Sequence, residues 1–434
     1  MKKLILIELN EINFDLIKIY SKKKKFNFFN DDFLSNLRIT SSENIYKKIE
    51  PWIQWVSIHT GKTADEHRIE RLGDINKLDS KQIFERVEEL GHSVGAICPM
   101  NTLNKLQNTK YFISDPWTVN KKNKIFFDML LSNAIKTLVN NNSNKKFFIG
   151  SYFILLIALL KVVRLKTISK YIYLFFKSFS NKWNKSLFLD LFLNDYHINC
   201  IKKFNPNFTT VFFNAGAHIQ HHYLVYSKIV EKKFTLPSSD IDSSNDPIEE
   251  MYRFYDDILI DYSRLKNYQL IIATGLTQIP YDRLKFYYRP IDHKIFLKSF
   301  LIKAEQIYPR MTRDFLIEFN SSLEADKAAI IFDKINKVNE KEIFEYDNNR
   351  GTSIFVSFKY DLKIDNDTFI YNADRQKIYL KSLVSFVAIK NGMHDQKGFL
   401  SISKGLENYA PRDVGHVKNI YNLIENYFLN KHEF

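Results

Sequence analysis

Short, nearly unbroken apolar runs recur along the chain at 4–9, 94–98, 210–213, 270–273 and 384–389. Runs of this length, rich in Ile, Val, Leu and Phe, predict buried strands of a parallel sheet, in which both faces are covered. Amphipathic stretches separate several of them. Residues 81–90, closed by Gly91, and residues 247–265, opening on Pro247 with Glu249 and Glu250 in the first turn, carry helix start and stop signals. The alternation predicts an α/β protein with a mostly parallel central sheet and helices on both faces. Ligand sites in such sheets gather where strands end. Asn10 and Glu11 follow the first run, Asn214 and three histidines follow 210–213, and Thr274 and Gln278 follow 270–273.

Two stretches break this rhythm. Residues 116–203 read as a helical, basic and aromatic insertion, and 299–379 as a small α+β insertion whose charged helices give way to alternating strands such as 352–358. The α/β core is then expected in 1–115, 204–298 and 380–434. Within the first insertion, 147–160 is continuously apolar and is followed by Lys161, Arg164 and Lys166, then by the basic, aromatic 170–177. It is too short to span a bilayer. Two readings stand: a buried helical hairpin, or a cap that touches an anionic membrane surface.

At 214–222, His218, His221 and His222 fall within five positions. On a helix His218 and His222 share one face and suit a divalent metal, with His221 on a neighbouring face. Hydrogen-bonded rings at a helix start are the alternative.

Composition narrows the classes. A chain of 434 residues with 45% hydrophobic positions, 12 Gly and 10 Pro is folded and large enough for one α/β domain with insertions, or for two domains. The formal charge of +14 favours phosphates, anionic glycans or an anionic membrane face, although scattered Lys-Asn stretches also make an ordinary solvated surface. No segment interleaves basic and aromatic residues as a nucleic-acid module does, so nucleic acid is not an expected partner. Cys98 and Cys200 are too few and too distant for a disulfide framework, which suits a reducing compartment. The basic start leads into an apolar run broken at Glu8 and Asn10, short of an export signal. A cytoplasmic protein, peripheral to the inner membrane face, is expected.

Four segments carry a family resemblance. Pro51 to Lys62 with Glu66-His67, Ala217-His218-Ile219-Gln220-His221, Asp246 to Leu259, and Met393 to Leu400 are similar to motifs of the alkaline phosphatase superfamily, in its type I phosphodiesterase and nucleotide pyrophosphatase branch. The resemblance implies two divalent metals, usually zinc, flanking a Thr or Ser nucleophile for in-line displacement at phosphorus or sulfur. This chain departs from it at several positions. Asn10 stands where the family has a metal-binding Asp, the nucleophile position falls near Pro51 beside Glu50, Ala273-Thr274-Gly275-Leu276 replaces Ser-Asp-His-Gly, and Ala217 replaces an Asp. The first metal site is therefore expected to be dismantled. The second keeps His221 and His394, with His218 or Asp395 as further donors, and implies one divalent ion, zinc or manganese.

The expected roles follow. Glu11 is a candidate general base, with Glu8 considered beside it, and His218 is a second catalytic candidate. Asn10, Trp52, Gln54, Thr274 and Gln278 are candidates for substrate binding, because a tryptophan face beside an amide holds a sugar or base ring. Trp55 and His59 read as core residues. The expected function is phosphodiesterase- or phosphotransferase-like, on a phosphate-linked or sugar-containing small molecule or glycan, in surface-polysaccharide assembly. The alternatives are a silent relative that binds such a ligand or a partner through the same crevice, and an intact two-metal hydrolase.

Overall fold

The computed structural model describes residues 2–118, 126–141, 149–231, 245–310, 313–411 and 413–432. The chain divides into two compact units, Met1–Asp282 with Gly392–Phe434, and Arg283–Asn391. In chain order the first unit opens with strands β1 (Leu4–Leu9), β2 (Arg38–Ser41), β3 (Val94–Ile97), β4 (Tyr111–Ile113), β5 (Phe208–Phe213) and β6 (Gln269–Ala273). Strand β7 (Thr277–Pro290) leads into the second unit, which holds β8 (Gln306–Pro309), β9 (Asp314–Glu318), β10 (Phe344–Arg350), β11 (Ser353–Phe358), β12 (Phe369–Tyr371) and β13 (Lys377–Tyr379). Strand β14 (Val384–Asp395) returns to the first unit, where β15 (Lys397–Ile402) follows.

The principal helices are α1 (Phe14–Ser21), α2 (Pro51–Thr60), α3 (Ile83–Glu89), α4 (Phe126–Asn141), α5 (Ile149–Val162), α6 (Ile168–Ser180), α7 (Asn184–Phe204), α8 (Ala215–Tyr223), α9 (Pro247–Ser263), α10 (Ser322–Val338) and α11 (Asn419–Leu429). All but α10 belong to the first unit.

The large sheet runs β2-β15-β6-β1-β5-β3-β4. Strands β6, β1, β5, β3 and β4 are mutually parallel, and β15 runs antiparallel to both of its neighbours. Every residue of β1, β3 and β5 is buried, as the apolar runs require of strands covered on both faces. The α/β expectation holds. The topology also explains convergence: β1, β5 and β6 end at one edge of the sheet, and reversed β15 begins at that edge. Residues some 380 positions apart in sequence thereby meet.

One expected strand belongs elsewhere. The apolar run 384–389 is extended, but within β14, which pairs with β7 in a two-stranded ribbon. Most of its residues are partly exposed, as in a ribbon, and apolarity alone does not distinguish the two settings. Its place in the large sheet is taken by β15 and by β2, a short edge strand with one buried residue. In the second unit, β10-β11-β9-β8 form an antiparallel sheet. Phe332 of α10 packs at 5.0 Å from Phe344 of β10 in a separate core.

Local chemistry sets the helix ends. α2 starts with Pro51 in its first turn and stops at Gly61, whose φ of 69° is left-handed. α9 starts at Asp246, whose Oδ1 accepts from the backbone N–H groups of Ile248 and Glu249, both at 3.1 Å. The other oxygen of Asp246 accepts from the Tyr20 hydroxyl at 2.6 Å and from the Lys228 N–H at 3.0 Å. Replacing this carboxylate, Asp246→Ala, is expected to lower unfolding stability by about 1–2 kcal/mol, read from urea denaturation. An unchanged midpoint would show that the cap contributes nothing.

Candidate metal centre at the strand ends

The end of β1 is held on both sides. The Asn10 N–H donates to the Phe213 carbonyl at 3.0 Å, and the Glu11 N–H donates to the Thr274 carbonyl at 3.1 Å. Between these anchors Glu11 adopts a φ of 61°, a left-handed conformation uncommon for glutamate. Such a backbone costs on the order of 1 kcal/mol and persists where the surroundings over-determine it. Here the Glu11 carbonyl also accepts from Gln220 Nε2 at 2.7 Å.

The turn aims a buried carboxylate at two imidazoles. Glu11 Oε2 lies 3.1 Å from His221 Nε2 and 3.1 Å from His394 Nε2, and the two Nε2 atoms are 3.2 Å apart. On the outer side of each ring stands an acceptor for Nδ1: the Gly392 carbonyl at 3.1 Å for His221, and Glu50 Oε2 at 3.3 Å for His394. This is how metal-binding histidines are oriented, with Nδ1–H anchored and Nε2 facing inward. A tetrahedral zinc with bonds of about 2.0–2.1 Å has ligand atoms about 3.3–3.4 Å apart. The triangle of Glu11, His221 and His394 has nearly those edges, so the residues fit one divalent ion.

Without a metal ion the carboxylates favour protonated imidazole, so a cation binding here displaces a proton. Burial would raise the Glu11 carboxyl, but His394 and His221 override it and hold it well below the usual range. Burial would lower His394, whereas Glu11 and Glu50 push it up to about 10.

Neighbouring amides hold the carboxylate of Glu11. Asn10 is buried, accepts from Trp55 Nε1 at 2.8 Å, and donates to Glu11 Oε1 at 3.0 Å and Asn214 Oδ1 at 2.8 Å. Gln278 Nε2 donates to Glu11 Oε2 and to the Ala217 carbonyl. Gly392 has to be glycine, because a Cβ there would stand 2.4 Å from Gln278 Oε1 and 2.6 Å from the Gln220 carbonyl.

Other candidates lie apart from the cluster. His218 is exposed and packs on His222, ring centroids 4.7 Å apart, on a face of α8 that does not carry His221 to His394. Asp395 turns to the Lys397 N–H at 2.9 Å. Trp52 donates to the Glu70 carbonyl at 3.1 Å, and buried Gln54 donates to the Lys48 carbonyl at 2.8 Å. Thr274 is buried, with its hydroxyl accepting from the Phe399 N–H at 2.9 Å. Glu8 lies within the sheet, 3.2 Å from His59 Nε2. Glu11, a base candidate in the sequence, belongs with His221 and His394 to a group of three side chains that could hold a metal ion. Glu50 and Gly392 were not marked in the sequence as partners of the histidines; an acidic residue before a helix-starting proline was the available signal for the first.

No family model and no curated protein matches the chain. Among solved structures it is similar to phosphonoacetate hydrolase from Sinorhizobium meliloti, with a TM-score of 0.46, 11% identity and coverage of 98% of this chain and 96% of that one. It is also similar to human ectonucleotide pyrophosphatase/phosphodiesterase 5, with a TM-score of 0.44, 10% identity and coverage of 99% and 95%. Alkaline phosphatase from the Antarctic bacterium TAB5 gives a TM-score of 0.39, 10% identity and coverage of 99% of each chain. These neighbours are alkaline phosphatase superfamily members.

The helical region before β5 supports the site through Asp190 of α7. This carboxylate accepts from the Ala215 N–H at 2.9 Å and the Tyr255 hydroxyl at 2.8 Å, fixing the start of α8, which carries His221. Burial raises Asp190 from its ordinary value of 3.8 to about 7. A raised carboxyl favours the fold fully below its unfolded value and loses that contribution as pH rises through the folded one. In Asp190→Asn, unfolding stability is therefore expected to fall less between about pH 4 and about pH 7 than in the parent protein. Parallel stability–pH profiles would refute this. Calorimetry should find one zinc ion per chain, bound at least about tenfold more weakly in Glu11→Gln and in Glu50→Gln. Two comparable sites, or unchanged affinity in Glu11→Gln, would contradict the assignment.

Proposed function

We propose that this protein is a hydrolase of phosphate esters that works with a single divalent ion, zinc or manganese, held by Glu11, His221 and His394. The observation that carries the reading is the triangle of 3.1, 3.1 and 3.2 Å formed by ligand atoms from the turn after β1, from helix α8 and from the end of β14. Among the described residues it is the only such group found. The motif resemblance and the +14 charge favour a phosphate-containing small molecule.

Bound at this triangle, the ion supplies Lewis acidity toward a phosphoryl oxygen. The protein supplies orientation. Asn10 and Gln278 fix both carboxylate oxygens of Glu11, the Gly392 carbonyl fixes His221, and Glu50 fixes His394.

The attacking group is not a side chain at the expected position. α2 opens with Glu50 and Pro51, which carry no hydroxyl. Its later hydroxyls are engaged inside the fold, Ser57 with His67 at 3.1 Å and Thr60 with the Val56 carbonyl at 2.7 Å. Water is therefore the nucleophile. Its oxygen bonds to phosphorus as the ester P–O bond breaks, and its proton ends on the departing oxygen.

A silent, ligand-binding relative is the second reading, favoured by Asn10, Pro51, Thr274 and Gly275, none of which supplies a second metal site. The two are separated by assaying zinc- and manganese-loaded protein on aryl phosphodiesters, phosphomonoesters and phosphonates. Turnover is expected to vanish with a chelator and to fall at least about 100-fold in His221→Ala and Glu11→Gln. Turnover that resists chelation and both substitutions would overturn the metal-dependent hydrolase.

A further inference from the structure

Strand β7 carries a basic row into the second unit. Arg283, Lys285, Tyr287 and Arg289 stand at alternate positions along it, so they share one face of the strand. Other segments of the same unit bring further cations to the tyrosine. The guanidinium carbon of Arg313, just before β9, stands 4.2 Å from the centre of the Tyr287 ring, and the Lys390 ammonium of β14 stands 4.8 Å from it. All of these residues lie within Arg283–Asn391, so the cluster is complete in one unit.

Carboxylates do not balance it. Lys359, which follows β11, pairs with Glu345, and Arg283 pairs with Asp361 at 2.7 Å. Among the described residues Arg313 and Lys390 form no ion pair, and the ring of Tyr287 is what both meet. An aromatic face attracts a cation without neutralising it. Two half-buried cations held against one ring repel each other, and the loss of water around them strengthens the repulsion.

Tyr287 is the second sign. It is only 8% exposed, and among the described residues its hydroxyl makes no hydrogen bond. A buried phenol ordinarily has a partner. Burial would raise this hydroxyl, but Lys390, Arg313, Lys285 and Lys359 override it and hold it below its ordinary value. Surroundings that favour negative charge on the phenol oxygen also favour it on an anion beside that oxygen.

We propose that Lys285, Tyr287, Arg313 and Lys390 form a binding site for a phosphate group in the second unit. A tetrahedral dianion presents oxygens in several directions, which suits donors arriving from β7, from the segment before β9 and from β14. A planar carboxylate carries one charge and suits a single guanidinium fork. The site draws nothing from Glu11, His221 or His394, and it stands whether or not the protein is a hydrolase.

The test is calorimetric titration of the chelator-treated full chain with sodium phosphate, because removing the metal removes the other place where phosphate would bind. One phosphate per chain is expected, bound more weakly as salt is added and at least about tenfold more tightly than acetate. Arg313→Gln with Lys390→Gln should lower the phosphate affinity at least about tenfold while leaving zinc binding unchanged. Lys390→Gln alone guards against a folding defect and should lower it in the same direction, whereas Lys390→Arg should keep it. Tyr287→Phe, which keeps the ring, should lower it about fivefold. Tighter binding of glycerol phosphate than of inorganic phosphate would identify an ester as the natural source, and the reverse the free ion. Absence of phosphate binding, or an affinity indifferent to the Arg313 and Lys390 substitutions, overturns the proposal. So does acetate binding as tightly as phosphate, which would reveal an unselective basic surface.

Discussion

The candidate site depends on the way the end of β1 is pinned. Two backbone hydrogen bonds, from Asn10 to Phe213 and from Glu11 to Thr274, join it to the ends of β5 and β6. Held there, Glu11 takes a left-handed turn and places its carboxylate between His221 and His394. A freer loop would let that carboxylate reach water, where its ionised form is most stable. Buried, it requires positive charge beside it, and two imidazoles or a cation meet the requirement. The local strain, on the order of 1 kcal/mol, is small against the cost of leaving such a carboxylate unpaired.

The same constraint makes sense of the substitutions along the crevice. Ala217 lacks the carboxylate that the family resemblance leads one to expect, and Asn10 is neutral where an acid is expected. In this chain Glu11 carries the negative charge, and Asn10 is an amide that holds it. Gly392 lets β14 approach closely enough for its carbonyl to orient His221. Asp190 fixes the start of α8 from the other side, so the inserted helical region contributes to the site without touching the ligand triangle.

That region also has a surface of its own. Its inner residues, such as Tyr171 and Leu174, join the core of the first unit, and its basic residues reach carboxylates on α7 and α9. The outward Phe and Leu stripes remain, and no part of the catalytic reading requires them. A buried polar triangle and an exposed apolar stripe thus occupy one unit.

Much of this was legible in the chain. The apolar runs determined β1, β3, β5 and β6 because a strand buried on both faces must be apolar throughout, and Pro51, Gly61 and Asp246 marked helix ends through their local chemistry. The pairing of His221 with His394 was legible from motif resemblance. Other features depend on contacts distant in sequence. The 384–389 run is as apolar as a core strand, and only its partner, β7, places it in a ribbon. Glu11 meets His221 and His394, and His218 stands aside, because a backbone torsion and a helix rotation determine which way side chains point. By itself the sequence determined which segments must be buried, since burial is a property of residue type and period. The tertiary structure decided which polar groups meet, since a hydrogen bond or a metal site needs positions that only the assembled sheet supplies.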